Sequence, residues 1–241
     1  MSALRKVYMA RLIGRIVVLV ATVALWFVYP QCFDIIHGMN FFKSFSPFHL
    51  LWGVWVFDMF LQLIPTRSKL ALGSQKLFVF RFRPVREKIN KQTLKNHIQA
   101  ATKAAYKVMI LWVLLLGAVA ALYYTGVIGK TVLFLFSVAF YVCDLICVLI
   151  WCPFRLIMKT KCCTTCRIFN WDHFMMFSPL VFMGGFFGLS LAGLSIVCFL
   201  YWELSVLMYP ERFVEVTNAS LQCCECTDKL CTQYCQKLRD K

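Results

Sequence analysis

Residues 108–152 read VMILWVLLLGAVAALYYTGVIGKTVLFLFSVAFYVCDLICVLIWC, and only Lys130 and Asp144 carry a formal charge in them. A helix rises about 1.5 Å per residue, so about 20 apolar residues cross a hydrocarbon core roughly 30 Å thick. This stretch is long enough for two crossings. The turn between them, after Ile128, holds only Lys130 as a charge. Two transmembrane helices are therefore expected, from about Val108 to Ile128 and from Thr131 to Cys152.

The rest of the chain extends that pattern. Of its 241 residues 61% are hydrophobic, and the mean hydropathy is +0.70. An ordinary soluble domain has roughly 45–50% apolar residues. Further apolar blocks run from about Arg15 to Tyr29, between Pro47 and Pro65, from Phe174 to Leu191, and from Leu194 to Met208. The first follows Arg5, Lys6, Arg11 and Arg15 and has no small-residue cleavage site after it, so it reads as a retained signal-anchor helix. The last two are short, and a tight hairpin turning near Ala192-Gly193 is expected between them.

Charge sets the expected orientation. The net charge of +15 is concentrated in the connections. The N-terminus, the segment 66–107 and the loop 153–172 are basic; residues 31–46 hold only Lys43, and the turn after the third block only Lys130. Lys and Arg accumulate on the cytoplasmic side. The alternation predicts an all-α polytopic membrane bundle of about six transmembrane helices with both termini cytoplasmic, a multi-pass protein of the plasma membrane. Its parts are a first hairpin (1–65), a basic cytoplasmic segment (66–107), a four-helix region (108–208) with a Cys-rich loop (153–172), and a Cys-rich tail (209–241).

Within the basic segment, Arg86 to Tyr106 reads as an amphipathic helix against anionic headgroups. The run Leu77-Phe78-Val79-Phe80-Arg81-Phe82-Arg83 mixes aromatics with arginine. Nucleic acid is bound by such mixtures, but beside a membrane the interfacial preferences of these residues favour anchoring.

Eight of the thirteen cysteines fall in two polar segments on one expected face: Cys162, Cys163 and Cys166 in the loop, and Cys223, Cys224, Cys226, Cys231 and Cys235 in the tail. Cys163/Cys166 and Cys223/Cys226 are Cys-x-x-Cys pairs, whose turn lets two sulfurs face one ion. Thr227-Asp228 reads as a helix start, which puts Cys231 and Cys235 on one helical face. In a reducing compartment such pairs favour metal or redox chemistry over disulfides. The expected ligands are Cys163, Cys166, Cys223, Cys226, Cys231 and Cys235, with Cys162 and Cys224 as further candidates. The cofactor is zinc or an iron–sulfur cluster, which an all-thiolate set suits about equally. S-acylation of the Cys-Cys pairs and unliganded thiols are the competing readings. Cys143, Cys147 and Cys198, within apolar blocks, are expected to serve packing.

The segment Cys147-Val-Leu-Ile-Trp-Cys152-Pro153 resembles the Cys-x-x-x-Cys-Pro elements of polytopic iron–sulfur membrane proteins in quinol electron-transfer chains. The spacing is one residue longer and the element occurs once, so no family is assigned.

Asp58, Asp144 and Glu203 fall inside apolar blocks. An ionised carboxylate at mid-bilayer costs roughly 2.5–3.5 kcal/mol on insertion scales, so such groups face the bundle interior. No phosphate-binding glycine loop or His-Glu-x-x-His is present. The expected function is a metal-bearing membrane component for electron transfer or docking of a redox partner. A proton or small-solute transporter using the three carboxylates, and an assembly factor with structural zinc or acylated cysteines that docks a protein partner, are the alternatives.

Overall fold

The computed structural model describes residues 3–43, 45–65, 77–85, 90–159, 166–222 and 225. They are helical throughout, and the β-type pairing among them is one isolated bridge between Pro84 and Asn218. The principal helices are α1 (Ala3–Val28), α2 (Phe48–Leu63), α3 (Lys91–Tyr124), α4 (Lys130–Leu149), the short α5 (Phe154–Met158), α6 (Asp172–Phe177), α7 (Leu180–Met183) and α8 (Gly185–Met208). Helices α1, α3, α4 and α8 are each long and apolar enough to cross a membrane.

Local chemistry explains the boundaries. Asn90 caps α3 by accepting the Gln92 N–H at 3.1 Å. The helix ends in a Schellman motif: Val127 N–H donates to Leu122 O and Gly126 N–H to Tyr123 O, with Gly126 at φ +78°. Helix α3 is unbroken across position 107, so the basic amphipathic helix and the third apolar block are one rod of 34 residues.

Helix α4 is the centre of the bundle. Half of its apolar window is buried, against 17% for α1 and for α3. Leu133, Phe134, Val138 and Tyr141 pack with Phe48 and Trp55 of α2 and Phe177 and Phe187 beyond. The outward faces of α1 and α3 instead expose Val17, Val20, Ile110 and Leu114, the pattern of helices whose second face meets lipid.

Pairwise contacts fix the directions. Arg15 meets Tyr141 and Asp144, while Tyr8 and Leu12 meet Leu145 and Leu149, so α1 and α4 are antiparallel. Trp52 donates to Ser190 and the Cys198 thiol to Met59 O, so α2 and α8 run together. Trp112 donates to Ser178 and Tyr124 touches Phe182, so α3 runs with the α6–α7 segment. Two further apolar segments are shorter than the four long helices: the 16-residue α2 and the broken α6–α7.

One expectation is overturned. The sequence suggests a hairpin at Ala192-Gly193, but both residues lie inside the continuous helix α8. The chain turns instead at Gly184-Gly185, with φ of +68° and +73°. A single glycine inside a helix costs only about 1 kcal/mol, whereas opening a turn in an apolar layer would strand backbone polar groups. Two consecutive positive φ values make the glycine pair the cheaper place to reverse. The turn is pinned by Phe186 N–H donating to Gly38 O at 2.9 Å. A Cβ on Gly185 would stand 2.8 Å from Gly38 O and 2.9 Å from Gly38 N. Gly185→Ala is therefore expected to lower stability by roughly 2–4 kcal/mol, from the positive φ and the backbone clash together. Thermal unfolding in detergent checks this, and Gly193→Ala, where a Cβ meets nothing within 4 Å, is the neutral control.

The aromatic–arginine run also differs in part from its interfacial reading. Residues 77–85 lie against the start of the tail: Ala219 N–H donates to Arg83 O, Val85 N–H to Thr217 O, and Ser220 Oγ to Arg81 O. Leu77 and Phe78 pack with Leu221 on Trp202 of α8, while Val79 and Phe80 remain exposed. Asn218, which formally heads a glycosylation sequon, is fully buried; its side chain accepts from Ser220 N–H and donates to Arg212 O.

Candidate functional site

Most polar chemistry in the described residues gathers at one end of the bundle, the end bearing the basic N-terminus and the start of α3. Of the eight loop and tail cysteines, Cys162, Cys163, Cys223, Cys224, Cys226, Cys231 and Cys235 lie outside the described residues. Cys166 is described and 7% exposed, packed with Ala105, Val108, Ile168 and Trp171. Among the described residues no group of three or more His, Cys, Asp or Glu is arranged to hold a metal ion.

The chain ends flanking the two cysteine segments are both fixed, and to neighbouring residues. The residue after Cys166 is Arg167. Its guanidinium forms a two-pronged pair with Glu203 of α8 (Nε to Oε1 3.1 Å, with Nη2 on Oε2) and donates through Nη1 to Thr102 of α3 at 2.6 Å. Trp171 Nε1 donates to the same carboxylate at 2.7 Å. On the other side, Leu221, two residues before Cys223, packs on Trp202. The loop exit and the tail root therefore dock on adjacent residues of one helix.

The intramembrane carboxylates prove to be two separate assemblies. Arg15 Nη1 donates to Asp144 Oδ2 at 2.7 Å and to Tyr141 O at 2.6 Å, with its guanidinium 3.8 Å from the Tyr141 ring centre. Arg15 Nη2 lies 4.0 Å from Asp58, and Arg11 is 3.5 Å from the same carboxylate. Asp58 and Asp144 thus share one guanidinium, while Glu203 belongs to the Arg167 assembly. A third knot joins α2 to α6: Gln62 Nε2 donates to Asp172 Oδ1 at 3.0 Å, and His173 Nδ1 sits 2.9 Å from both Gln62 Oε1 and Asp172 Oδ1. Asp172 Oδ1 also accepts the His173 N–H at 2.7 Å.

Sequence reasoning missed Arg15, Arg167 and Gln62 as partners. Arg15 was countable as a flanking anchor. The signal that it is more lies in its neighbours Leu12-Ile13 and Ile16-Val17, which bury a cation well inside an apolar run that has acids on other helices to meet it.

Cys143 and Cys147, expected to serve packing, instead lie one helical turn apart on the wall of a cavity of about 260 Å³. Cys152, beyond the end of α4, and Cys166 line the same cavity, and the Cys147 and Cys152 side chains are hydrogen-bonded to each other. Cys198 does behave as a core residue, 1% exposed between α8 and α2.

No protein-family model, curated protein or solved structure matches the chain.

Proposed function

We propose that this is a six-crossing protein of the plasma membrane with both termini cytoplasmic, whose basic face carries a cysteine-ligated zinc ion or iron–sulfur cluster. The site serves electron transfer or the docking of a redox or assembly partner. In this reading α2 and the α6–α7 segment complete the crossings begun by the four long helices, and the alternation of basic connections sets their direction. Arg and Lys of the segment 66–107 face anionic headgroups.

The observation that supports the metal site is the docking of its two flanks. Arg167 on Glu203 and Leu221 on Trp202 bring the exits of both cysteine segments to one turn of α8. Cys223 follows Leu221 by two residues and Cys163 precedes Arg167 by four, spans of roughly 7 and 14 Å of extended chain. That reach is compatible with a shared set of four thiolates. The cytoplasmic placement keeps those thiols reduced and able to ligate.

The carboxylate geometry weighs against the transporter reading. A conducting acid must exchange its partner during each cycle, whereas Asp144 is held by the Arg15 guanidinium and Glu203 by two prongs of the Arg167 guanidinium.

Anaerobic purification followed by elemental analysis and an optical spectrum tests the proposal. Stoichiometric zinc without colour, or iron with a sulfide-to-iron charge-transfer band, is the expected result. Serine at Cys163, Cys166, Cys223 and Cys226 should remove it. Protein lacking both metals overturns the site.

A further inference from the structure

The cavity beside α4 is a second sulfur site, built from described residues; it shares Cys166 with the expected loop–tail ligands, but the pair Cys147 and Cys152 belongs to the cavity alone. Six of its sixteen wall residues carry sulfur: Cys143, Cys147, Cys152, Cys166, Met175 and Met176. Helix geometry brings the first two together, because residues four apart lie on one face. The chain leaves α4 at Ile150 and returns Cys152 to Cys147, while Pro153 prevents the helix from continuing.

The harder donors on this wall are already engaged. Asp144 holds Arg15, and Asp172 accepts from Gln62 and from the His173 N–H. The rest of the wall's donor atoms are mostly thiol and thioether, the donor set that selects soft cations. Zinc and iron centres call for about four protein ligands in tetrahedral array, and no described group meets even three. A d¹⁰ monovalent ion needs only two sulfurs on opposite sides.

We propose that this cavity binds Cu(I), held between the sulfurs of Cys147 and Cys152. On binding, both thiols lose their protons: Cu⁺ and two thiols give a bis-thiolate copper(I) anion and two H⁺, with no change of oxidation state. Arg155 on the cavity wall places a cation beside the anionic product. The thioethers of Met175 and Met176 add soft, polarisable surface around it. The cavity is several times the ~30 Å³ share of a liquid water, so the ion can arrive as a complex with a small thiol and be passed on by ligand exchange.

The test uses full-length protein in detergent, titrated anaerobically with Cu(I) in competition with bicinchoninate. The background carries Cys162→Ser, Cys163→Ser, Cys223→Ser, Cys224→Ser, Cys226→Ser, Cys231→Ser and Cys235→Ser, so that no thiol of the loop–tail centre outside the cavity wall remains and failure of that centre is read separately from failure of this cavity. Expected is uptake of one Cu(I) per chain in that background. Adding Cys147→Ser and Cys152→Ser should weaken it by about 100-fold or more, since the ion loses both thiolates. Absence of tight uptake in the serine background, or equal affinity after the double substitution, overturns the proposal. X-ray absorption of the copper-loaded protein in the serine background gives a reading independent of whether the double variant folds. Sulfur neighbours alone support the site; nitrogen or oxygen neighbours sink it.

Discussion

Arg15→Met is expected to lower the stability of the folded bundle by about 3–5 kcal/mol, the range for removing one partner of a buried ion pair. The side chains of Arg15 and Asp144 are each 9% exposed and that of Asp58 is 15% exposed, so water cannot replace the lost cation. The substitution keeps much of the side chain's volume and apolar stem, which isolates charge from packing. It leaves Asp144 without a countercharge in a low-dielectric interior, while Asp58 keeps Arg11 at 3.5 Å. Asp144→Asn on the same background should recover part of the loss, because it removes the charge that Arg15 was neutralising. A double-mutant cycle on Arg15 and Asp144, read by unfolding in mixed detergent, should give a coupling of about 1–3 kcal/mol. Arg15→Lys should fall between, since an ammonium keeps the charge but cannot set one nitrogen on Asp144 and Tyr141 O while a second faces Asp58. A loss under about 1 kcal/mol for Arg15→Met would mean that the pair merely breaks even against an apolar isostere, which buried ion pairs sometimes do.

This result would also decide what the carboxylates are. If Asp58 and Asp144 exist to hold α1 and α2 onto α4, neutralising both together with Arg15 should restore the fold and leave any metal at the basic face in place. If they serve conduction, the neutral triple variant should fold and lose flux. The geometry favours the first outcome, because one guanidinium on α1 reaches both α2 and α4.

The long helices were legible because nothing in residues 108–152 competes with the hydrocarbon reading. Their ends were less so: the third helix was expected to run to Ile128, whereas it stops at Tyr124, where Gly126 takes a positive φ. The last apolar region was harder. From Phe174 to Met208 hydropathy alone does not say where the chain reverses, and Ala192-Gly193 sits near the middle of that run. The deciding fact is a contact distant in sequence, Gly185 against Gly38, which no local pattern contains. Gly188 is a similar case: a Cβ there would approach Leu180 O to 2.9 Å, so the residue records how closely α7 lies on α8. The acids were visible as buried charges, but which cation met which acid was not. Pairing depends on helix rotation, and no Lys or Arg stands within two helical turns of Asp58, Asp144 or Glu203 in the chain, so each partner comes from another segment. The thiol cavity was invisible for the same reason. Cys143 and Cys147 read as small hydrophobes until the return of Cys152 and the loop exit at Cys166 placed four sulfurs around one space.

Glu203→Leu should be the second large loss, again about 3–5 kcal/mol. The Glu203 side chain is 13% exposed and takes three hydrogen bonds, two from Arg167 and one from Trp171. Leucine fills the volume but leaves a guanidinium and an indole N–H unpaired near the bundle interior. Arg167 would retain Thr102 and its position near the Tyr106 and Trp171 rings, at 5.8 and 6.0 Å, which limits the loss to the lower part of that range if the cation can reach headgroups. The companion change, Arg167→Met, buries an uncompensated carboxylate instead, and the pair Glu203→Leu with Arg167→Met should cost less than the sum of the two. What separates this from a purely structural pair is its place in the chain. Arg167 directly follows Cys166, so releasing it from α8 should free the loop exit. Alkylation of Cys166 by a small maleimide should therefore speed up in Glu203→Leu and return toward the parent rate in Glu203→Gln, where an amide still accepts from Arg167. Metal content should follow the same order, because a ligand set drawn from two segments persists only while both are tied to the same turn of α8. Full metal content in a folded Glu203→Leu protein with a mobile Cys166 would show that the loop contributes no ligand and that the tail thiols suffice alone.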